Sequence, residues 1–122
     1  MSGQRNHLLG QWGDELAARY LMKCGYQILD ANWRCRFGEI DLIAKEKGYI
    51  CFVEVKLRKN DRMASAAEFV DARKQKKLRT TAQLYLSIHP TQEQPRFDVI
   101  EIYAPDGLQT VKPEIHHIIN AF

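Results

Sequence analysis

Apolar residues near the start of the chain recur at intervals of three and four, which is the spacing of one helical face. Gly25 follows the last of them, and glycine is the residue that most often stands just past the end of a helix. The pattern therefore predicts an amphipathic helix over residues 8–24. Its apolar stripe consists of Leu9, Gly13, Leu16, Ala17, Tyr20, Leu21 and Cys24.

The spacing then changes to the alternation that is typical of strands. A short strand is predicted at Tyr26–Leu29, and Asp30-Ala31-Asn32 supplies turn chemistry after it. Two longer strands are predicted at Phe37–Lys45 and Tyr49–Leu57. Lys47-Gly48 lies between them and predicts a tight hairpin turn, although Asn-Gly would be a stronger signal.

The second half of the chain predicts another helix. A polar stretch, Arg58–Ala64, leads to Ser65 and Glu68, whose spacing is that of a capping box. We expect the helix to run from there to about Ser87, because Pro90 lies just past that point.

Two more strands complete the pattern. They are predicted at Arg96–Tyr103 and Leu108–Lys112, with a turn at Pro105-Asp106-Gly107 between them. The order of elements is α-β-β-β-α-β-β, and we expect residues 1–122 to form a single domain. This order predicts an α/β fold in which a central mixed β-sheet is flanked by helices.

The predicted hairpin brings four polar side chains together. With the hairpin centred on its two-residue turn, Asp41 faces Glu54. In the same register, Glu39 faces Lys56. Alternation puts these four residues, the polar quartet, on one face of the sheet. That face is expected to continue as Ile43 and Phe52, and the opposite face carries Ile40, Leu42, Val53 and Val55.

A hairpin that is apolar on both faces is expected to be covered on both sides, so the polar quartet is partly buried. Opposed carboxylates in such a place must take up a proton or bind a cation. Mg²⁺ prefers oxygen ligands, and Asp41, Glu54 and the Val55 backbone carbonyl are candidates. Lys56 could position the attacking water or stabilise charge on a phosphate. Glu39 is expected to act either as the partner of Lys56 or as an acid that supports the metal ligands from beside them. The alternative to a metal site is a charged ladder, in which Glu39 pairs with Lys56 and Asp41 accepts backbone hydrogen bonds.

Charge is distributed unevenly. The net charge is +3, but residues 56–79 carry nine Lys or Arg against three acids, so this stretch is +6 and the rest is −3. A local basic block indicates a surface that faces a polyanion, whereas the alternative is a solvated helix face. The candidates for non-specific phosphate contacts are Arg58, Lys59, Arg62, Arg73, Lys74, Lys76, Lys77 and Arg79.

Other sequence features narrow the class of protein. The three cysteines are far apart and form no CxxC pair, which argues against a zinc ribbon and agrees with a reducing compartment. Met1–Gly10 lacks the apolar core of a signal peptide, and no apolar run reaches the length of a membrane span. We therefore expect a cytoplasmic protein with no membrane partner. The chain has no Gly-rich phosphate loop, so an NTPase has no support.

The strand pair has a recognisable motif, Gly38-Glu39-Ile40-Asp41-Leu42-Ile43-Ala44 followed by Phe52-Val53-Glu54-Val55-Lys56. With these residues the chain resembles the YraN family of small bacterial proteins. The resemblance covers most of the chain. It extends to the segments Gly10–Leu21, Gly25–Leu29, Asn32-Trp33-Arg34 and Arg96–Ile100.

That family is similar to the restriction-endonuclease-like superfamily, the PD-(D/E)xK nucleases. The resemblance implies that Asp41 is the first acid of the motif and that Glu54-Val55-Lys56 is its E-x-K. Archaeal Holliday junction resolvases share the layout, with an extra acid on the first helix. The implied activity is Mg²⁺- or Mn²⁺-dependent cleavage of DNA, with selectivity for branched or repair intermediates. A homodimer is compatible with such a nuclease, although no sequence feature demands one.

The family pattern has Glu then Asp after Gly13, whereas this chain has Asp14 then Glu15. At 100° per residue, Asp14 borders the apolar stripe centred on Ala17, and Glu15 faces solvent with Arg19 as its i+4 partner. We therefore assign the helix acid to Asp14. Asp is one methylene shorter than Glu, so its carboxylate reaches less far toward a metal.

Several other residues are interpreted as structural. His116 and His117 are adjacent, so their side chains point apart on a strand and do not suit joint metal binding. Trp12 and Trp33 could stack bases, but core or half-buried roles are favoured. Asp98 lies between two apolar residues and is expected to hydrogen-bond within the sheet.

Three functions stay open on the sequence alone. The leading hypothesis is a divalent-metal-dependent DNA endonuclease, motivated by converging acids beside a basic block. The second is a non-catalytic nucleic-acid-binding module that keeps the nuclease fold. The third is a scaffold protein in which the polar quartet is structural.

Overall fold

The computed structural model describes residues 3–59 and 70–122. The order α-β-β-β-α-β-β is confirmed for this part of the chain. A single 3₁₀ turn at Gly107–Gln109 precedes the last strand. In chain order the elements are α1 (Gly3–Lys23), β1 (Gln27–Cys35), β2 (Gly38–Glu46), β3 (Tyr49–Arg58), α2 (Ala72–Ile88), β4 (Gln94–Tyr103) and β5 (Glu114–Ile118).

The strands form a mixed sheet, as the sequence predicted, and their order in the sheet is β1-β2-β3-β4-β5. Strands joined directly along the chain pair antiparallel, whereas β3 and β4 pair parallel. The parallel pair is connected through α2, and a crossover of this kind is what parallel pairing requires. The crossover places α2 against one face of the sheet, and α1 packs against the other face.

Each face of the sheet packs against its own helix. Ala17 and Leu21 of α1 lie in one buried cluster with Leu42 and Val53. Ile43 and Phe52 lie in the other cluster, which includes residues of α2 such as Leu78, Ala82 and Tyr85. A hairpin buried on both faces is thus confirmed, and it explains why its strands carry long apolar runs.

The β2–β3 hairpin has the predicted register. Its pairing runs from Glu46↔Tyr49 to Leu42↔Val53. The turn residues Lys47 and Gly48 both have positive φ, at 42° and 87°. Positive φ at both central positions is the type I′ geometry whose twist matches the flanking strands. From the turn to Leu42 and Val53, the residues of β2 and β3 are therefore paired as counted from this turn.

The turn predicted at Asp30-Ala31-Asn32 is wrong, because these residues belong to β1. The strand carries a register shift between Ile28 and Asp30, and Asn32 has a φ of 53°. Asn tolerates this left-handed conformation better than most residues do. Pairing with β2 thus overrides the local turn preference and turns it into a distortion within a strand.

The last strand was predicted too early. The strand predicted at Leu108–Lys112 depended on Leu108 and Val111. These residues are 48% and 90% exposed, so they form no buried face. The strand that pairs with β4 is Glu114–Ile118, which starts directly after Pro113. Apolar alternation without a buried surface is a weak strand signal.

Both helices differ from prediction mainly at their starts. The capping box of Ser65 and Glu68 lies outside the described residues. Asp71 caps α2 instead, since its Oδ1 accepts a hydrogen bond of 2.9 Å from the backbone of Lys74. The end of α2 at Ile88, before Pro90, is confirmed. In the described residues, neither helix is long and apolar enough to cross a membrane.

Candidate active site

The β2–β3 ladder ends where the candidate acids begin. Its last pair is Leu42↔Val53, whereas β3 continues to pair with β4 as far as Arg58↔Tyr103. Beyond Val53 the backbone N–H of Val55 donates to Asp41 Oδ2 at 2.8 Å. The Asp41 carboxylate thus replaces a ladder contact at a fork between β2 and β3. The backbone hydrogen bond that was the alternative reading of Asp41 is therefore present.

The strand β2 changes faces at Asp41. Ile40 packs in the cluster of α2, whereas Leu42 packs in the cluster of α1. Residues two apart on a regular strand share a face, so the prediction that Ile40 and Leu42 share one is wrong. By the β1–β2 register, Asp41 lies opposite Asn32, the residue with positive φ. The distortion in both strands accounts for the change.

The helix α1 brings Asp14 to the same fork. Gly13 is buried, and a Cβ at this position would lie 3.2 Å from the side chain of Leu57 in β3. This close approach of α1 to the sheet puts Asp14 in a cleft of about 450 Å³. The described residues that line the cleft are His7, Gly10, Gln11, Asp14, Asn32, Arg34, Glu39, Asp41, Val55 and Leu57.

The Asp41 carboxyl is strongly perturbed. Burial and the neighbouring charge of Glu54 raise its pKa to about 8, with a smaller contribution from Asp14. The Val55 N–H opposes this shift. Asp41 therefore holds a proton at neutral pH when no cation is bound, as expected for crowded carboxylates.

Asp14 shares this electrostatic environment. Burial raises its pKa to about 6, and the charges of Glu39 and Glu54 add to the shift, while the Asn32 side chain lowers it. Asp14, Asp41 and Glu54 thus influence one another and form one group, which we call the acid cluster. Glu15 points away from it and lies 3.9 Å from Arg19, as predicted.

Glu54 is 8% exposed and faces two lysines. Its Oε2 lies 3.3 Å from Lys56 Nζ and also forms an ion pair with Lys74 of α2. Burial and the proximity of Lys74 lower the pKa of Lys56. Burial opposes the charged form of Lys74 too, but its contact with Glu54 raises the pKa of that group overall. Lys56 of β3 and Lys74 of α2 thus balance the charge of Glu54.

The predicted contact between Glu39 and Lys56 is wrong. Glu39 Oε2 accepts a hydrogen bond of 3.1 Å from Arg34 Nε on β1, and Lys56 pairs with Glu54. The reason is that β2 and β3 separate on the side of the Leu42↔Val53 pair that is farther from the turn. There the hairpin register no longer determines which side chains meet. Glu39 is consequently separated from Lys56. Asp41 lines the cleft beside α1 with Glu39 and still reaches Glu54 through a side-chain hydrogen bond, while Glu54 also meets Lys56 and Lys74.

Within residues 3–59 and 70–122, no three Asp, Glu, His or Cys side chains stand in a ready-made metal-binding arrangement. The Val55 carbonyl nevertheless has a suitable direction. The N–H and C=O of one residue on a strand point to the same side. Because the Val55 N–H points to Asp41, its carbonyl faces the same fork. The donor set at the fork consists of hard oxygen atoms, which fit a hard divalent cation.

The basic residues predicted to contact phosphate do not all face solvent. Arg58 is only 17% exposed and lies 3.9 Å from the buried Glu101. The Arg79 guanidinium lies 5.0 Å from the Phe97 ring centroid. Those that are exposed are Lys59, Arg73, Lys76, Lys77 and Arg79, although Arg79 also contacts the Phe97 ring, whereas Arg62 lies outside the described residues.

Asp98 is structural, as the sequence indicated. It is fully buried, and its carboxylate accepts hydrogen bonds from Arg96 at 2.9 and 2.8 Å and from the Asn120 backbone at 3.0 Å. His117 Nε2 lies 2.8 Å from the same carboxylate. Burial raises the pKa of Asp98, but these contacts outweigh it and lower the pKa overall. The network joins β4 to β5 and the C-terminal segment.

The other residues set aside also have structural surroundings. His116 contacts Glu114 at 2.7 Å, whereas His117 contacts Asp98, so the two rings have different partners. Trp33 packs edge-on against Tyr85 with ring centroids 5.2 Å apart. Half-burial of both tryptophans against the two core clusters is confirmed.

The fold and the site together define a class: a small α/β protein with a mixed five-stranded sheet and an acid cluster at a fork between two strands. The sequence model of a protein family, described as "Uncharacterised protein family UPF0102", matches residues 13–102. The chain belongs to this family. The resemblance to YraN-type proteins is confirmed. The matched segment includes Asp14, Asp41, Glu54 and Lys56.

Relatives match over almost their whole length. A UPF0102 protein of Caldanaerobacter subterraneus subsp. tengcongensis is 47% identical over 116 residues, which is 93% of each chain. One from Syntrophomonas wolfei is 47% identical over 118 residues, covering 96% of this chain and 99% of its own. One from Rhodococcus jostii is 43% identical over 118 residues.

Proposed function

We propose that this protein is a divalent-metal-dependent endonuclease that hydrolyses phosphodiester bonds in DNA. The observation that carries the proposal is the acid cluster, in which burial and the charge of Glu54 raise the pKa of both Asp41 and Asp14, beside Lys56. Asp41 holds its proton at neutral pH because it is buried beside a second acid, and a carboxyl with such a perturbed pKa is a candidate for a functional site. The proposal includes a restriction-endonuclease-like fold, with Asp41 and Glu54-Val55-Lys56 as the nuclease motif.

Four groups would hold the cation. Asp41 and Glu54 would supply carboxylate oxygens, the Val55 carbonyl a third ligand, and Asp14 would support them from α1. A bound Mg²⁺ or Mn²⁺ would polarise the scissile phosphate and make a water more nucleophilic at neutral pH. Ligation requires ionised carboxylates, so Asp41 would release its proton when the cation binds.

Lys56 has the position and chemistry of a group that acts on the attacking water. Burial and Lys74 lower its pKa, so Lys56 gives up its proton more readily than an exposed lysine does. In the reaction a bond would form between the water oxygen and phosphorus, with a proton of the water passing to solvent. The bond from phosphorus to a sugar oxygen would break, and that oxygen would take up a proton from solvent to leave as a hydroxyl. Lys56 would orient the water and offset the negative charge that develops on phosphate.

Lys74 links this chemistry to substrate binding. Its ion pair with Glu54 supplies the charge that the cation would otherwise supply. If Glu54 held a cation, Lys74 would become available to a phosphate oxygen. We infer that Arg73, Lys76 and Lys77 on the same helix extend this contact along the DNA backbone, as non-specific contacts do.

A cleavage panel tests the proposed function. The wild-type protein is incubated with end-labelled branched, single-stranded and duplex DNA in Mn²⁺, in Mg²⁺ and in EDTA. We expect cleavage of at least one substrate with either metal and none in EDTA. Glu54→Gln should lose about 10²–10³-fold in rate, the typical cost of one preorganised catalytic contact. Glu15→Gln makes the same chemical change on an exposed side chain and should leave the rate unchanged.

One observation favours the second candidate, a nucleic-acid-binding module that does not cleave. Glu54 is already neutralised by Lys56 and Lys74, an arrangement that is stable without a metal. If DNA binds with a steep salt dependence but every substrate stays intact in both metals, this second function replaces the first. If DNA does not bind at all, neither function holds.

A further inference from the structure

A second cleft, of about 560 Å³, lies between the β1–β2 turn and α2, beside the candidate active site. The turn contributes Arg36 and Phe37, and α2 contributes the rest of the lining. Four cations and no carboxylate are found among the described residues that line it, so it favours a polyanion. The lining residues are Arg36, Phe37, Arg73, Lys76, Lys77 and Thr80.

The turn is held firmly against α2. Cys35 pairs with Gly38, which leaves Arg36 and Phe37 at the tip of a two-residue hairpin turn. Gly38 has a φ of 150°, and a Cβ there would lie 3.2 Å from the Thr81 hydroxyl of α2. The close approach explains why glycine occupies this position. The exposed pair at the tip is therefore positioned by backbone contacts.

Phe37 is an exposed aromatic ring in a cationic place. Its side chain is 36% exposed, and the Arg36 guanidinium carbon lies 4.8 Å from the ring centroid. Nucleic-acid bases stack on aromatic rings and on guanidinium planes, whatever their sequence. A base added to the Arg36–Phe37 pair would extend an existing stack, while phosphates on either side would meet the cations of α2.

The cleft adjoins the acid cluster through α2. Arg73 and Lys76 flank Lys74 in sequence, and Lys74 pairs with Glu54. On a helix, Lys77 lies within one turn of Lys74. A DNA strand whose phosphates contact these side chains would therefore run from Phe37 toward Glu54.

We propose that this second cleft binds an unpaired nucleotide of single-stranded DNA, with the base stacked on Phe37 and the adjoining phosphates on Arg36, Arg73 and Lys77. Bases within a duplex are stacked on their neighbours and do not offer a face to Phe37. The inference rests on the proposed function for the choice of DNA. It adds that the substrate carries unpaired bases next to the cut.

Binding measured in EDTA separates this inference from cleavage. Fluorescence anisotropy would follow a labelled oligothymidylate with wild type, Phe37→Leu and Phe37→Tyr. We expect Phe37→Leu to weaken binding about tenfold, since it keeps apolar bulk but removes the ring. Phe37→Tyr keeps the ring and should bind as wild type does. A duplex of equal length should bind both variants equally.

Salt dependence checks the phosphate contacts. Each cation that contacts single-stranded DNA contributes about −0.7 to the slope of log K against log salt. Lys77→Gln should therefore reduce the slope by about that amount, whereas Lys23→Gln at the distant end of α1 should not. Circular dichroism of each variant confirms that the fold is retained, because these side chains are exposed.

Equal affinity of Phe37→Leu and Phe37→Tyr for the oligothymidylate would overturn the inference. The same loss for duplex as for single strands would also overturn it. Tighter binding of oligouridylate would replace DNA by RNA as the ligand and contradict the choice made above. Because no metal is present, absence of nuclease activity leaves these results unaffected, and loss of Phe37 dependence does not affect the metal site.

Discussion

Replacing Asp41 by Asn is expected to abolish metal-dependent cleavage and, at alkaline pH, to stabilise the fold. The amide keeps an oxygen that can accept the Val55 N–H, so the fork between β2 and β3 should remain. It removes a carboxylate from the acid cluster, and we expect the cleavage rate to fall at least about 10²–10³-fold. Gain of stability with loss of activity is typical of a strained functional site.

The stability effect depends on pH in a defined direction. The pKa of Asp41 is raised from 3.8 to about 8 in the folded protein, so the folded state binds more protons than the unfolded state between these values. The free energy of unfolding of the wild type should therefore fall as pH rises through this window. From pH 5 to pH 8.5 the loss should be on the order of 4 kcal/mol, because the folded carboxyl keeps its proton over about three of these pH units.

Urea unfolding at several pH values measures this effect. Asp41→Asn should flatten the pH dependence, leaving only the smaller contribution of Asp14 at lower pH. Asp106→Asn is a matched control, because Asp106 is exposed and its side chain makes no capping hydrogen bond. A variant less stable than wild type at pH 8.5, with unchanged pH dependence, would show that Asp41 is not a crowded acid.

Replacing Asp98 by Ala is expected to cost about 3–5 kcal/mol of stability, the typical loss when one partner of a buried ion pair is removed. The substitution leaves the buried Arg96 guanidinium without its bidentate acceptor. It also releases His117 and the Asn120 backbone, which tie the C-terminal segment to the sheet. Chemical unfolding measures the loss, and Asp98→Asn, which keeps one acceptor oxygen, should lose less.

Glu114→Ala is the matched control for this substitution. It also removes a carboxylate that contacts a histidine, but the His116–Glu114 pair has exposed side chains, at 42% and 64%. Its loss should stay below about 0.5 kcal/mol. Similar losses for Asp98→Ala and Glu114→Ala would contradict a structural role for the buried network.

The central part of the fold follows from the sequence because its signals are local and consistent. Apolar runs on both strands, a two-residue turn with glycine and the periodic stripe of α1 all indicate the same arrangement. The register from Glu46↔Tyr49 to Leu42↔Val53 could therefore be derived by counting from the turn. The position of Asp14 at the cleft followed in the same way from its angle to the apolar stripe.

The details of the site did not follow, because they depend on where regular pairing stops. Counting from the turn assumes that β2 and β3 stay paired, and the assumption fails at Asp41. The partners Arg34 for Glu39 and Lys74 for Glu54 come from other elements, which a hairpin register cannot reveal. Asn32 was the available signal, since Asn within a strand suggests a backbone distortion.

Residues Arg36 and Phe37 were missed for a related reason. A predicted strand starting at Phe37 hides the fact that Phe37 occupies a turn, where its side chain is exposed. The exposure of a residue depends on which element packs against it. The element beside Arg36 and Phe37 is α2, which lies far along the chain, so local sequence patterns do not reveal it. The second cleft became visible once the turn and the helix were placed together.

Calorimetric titration of Mn²⁺ at pH 7 tests the central claim, that the acid cluster binds a divalent cation. Titrations in two buffers with different ionisation enthalpies give the number of protons released. We expect the wild type to release about one proton per Mn²⁺ ion, because Asp41 must ionise to bind it. Asp41→Asn should bind at least about tenfold more weakly and release fewer protons. Equal binding by both proteins, without proton release, would contradict the claim.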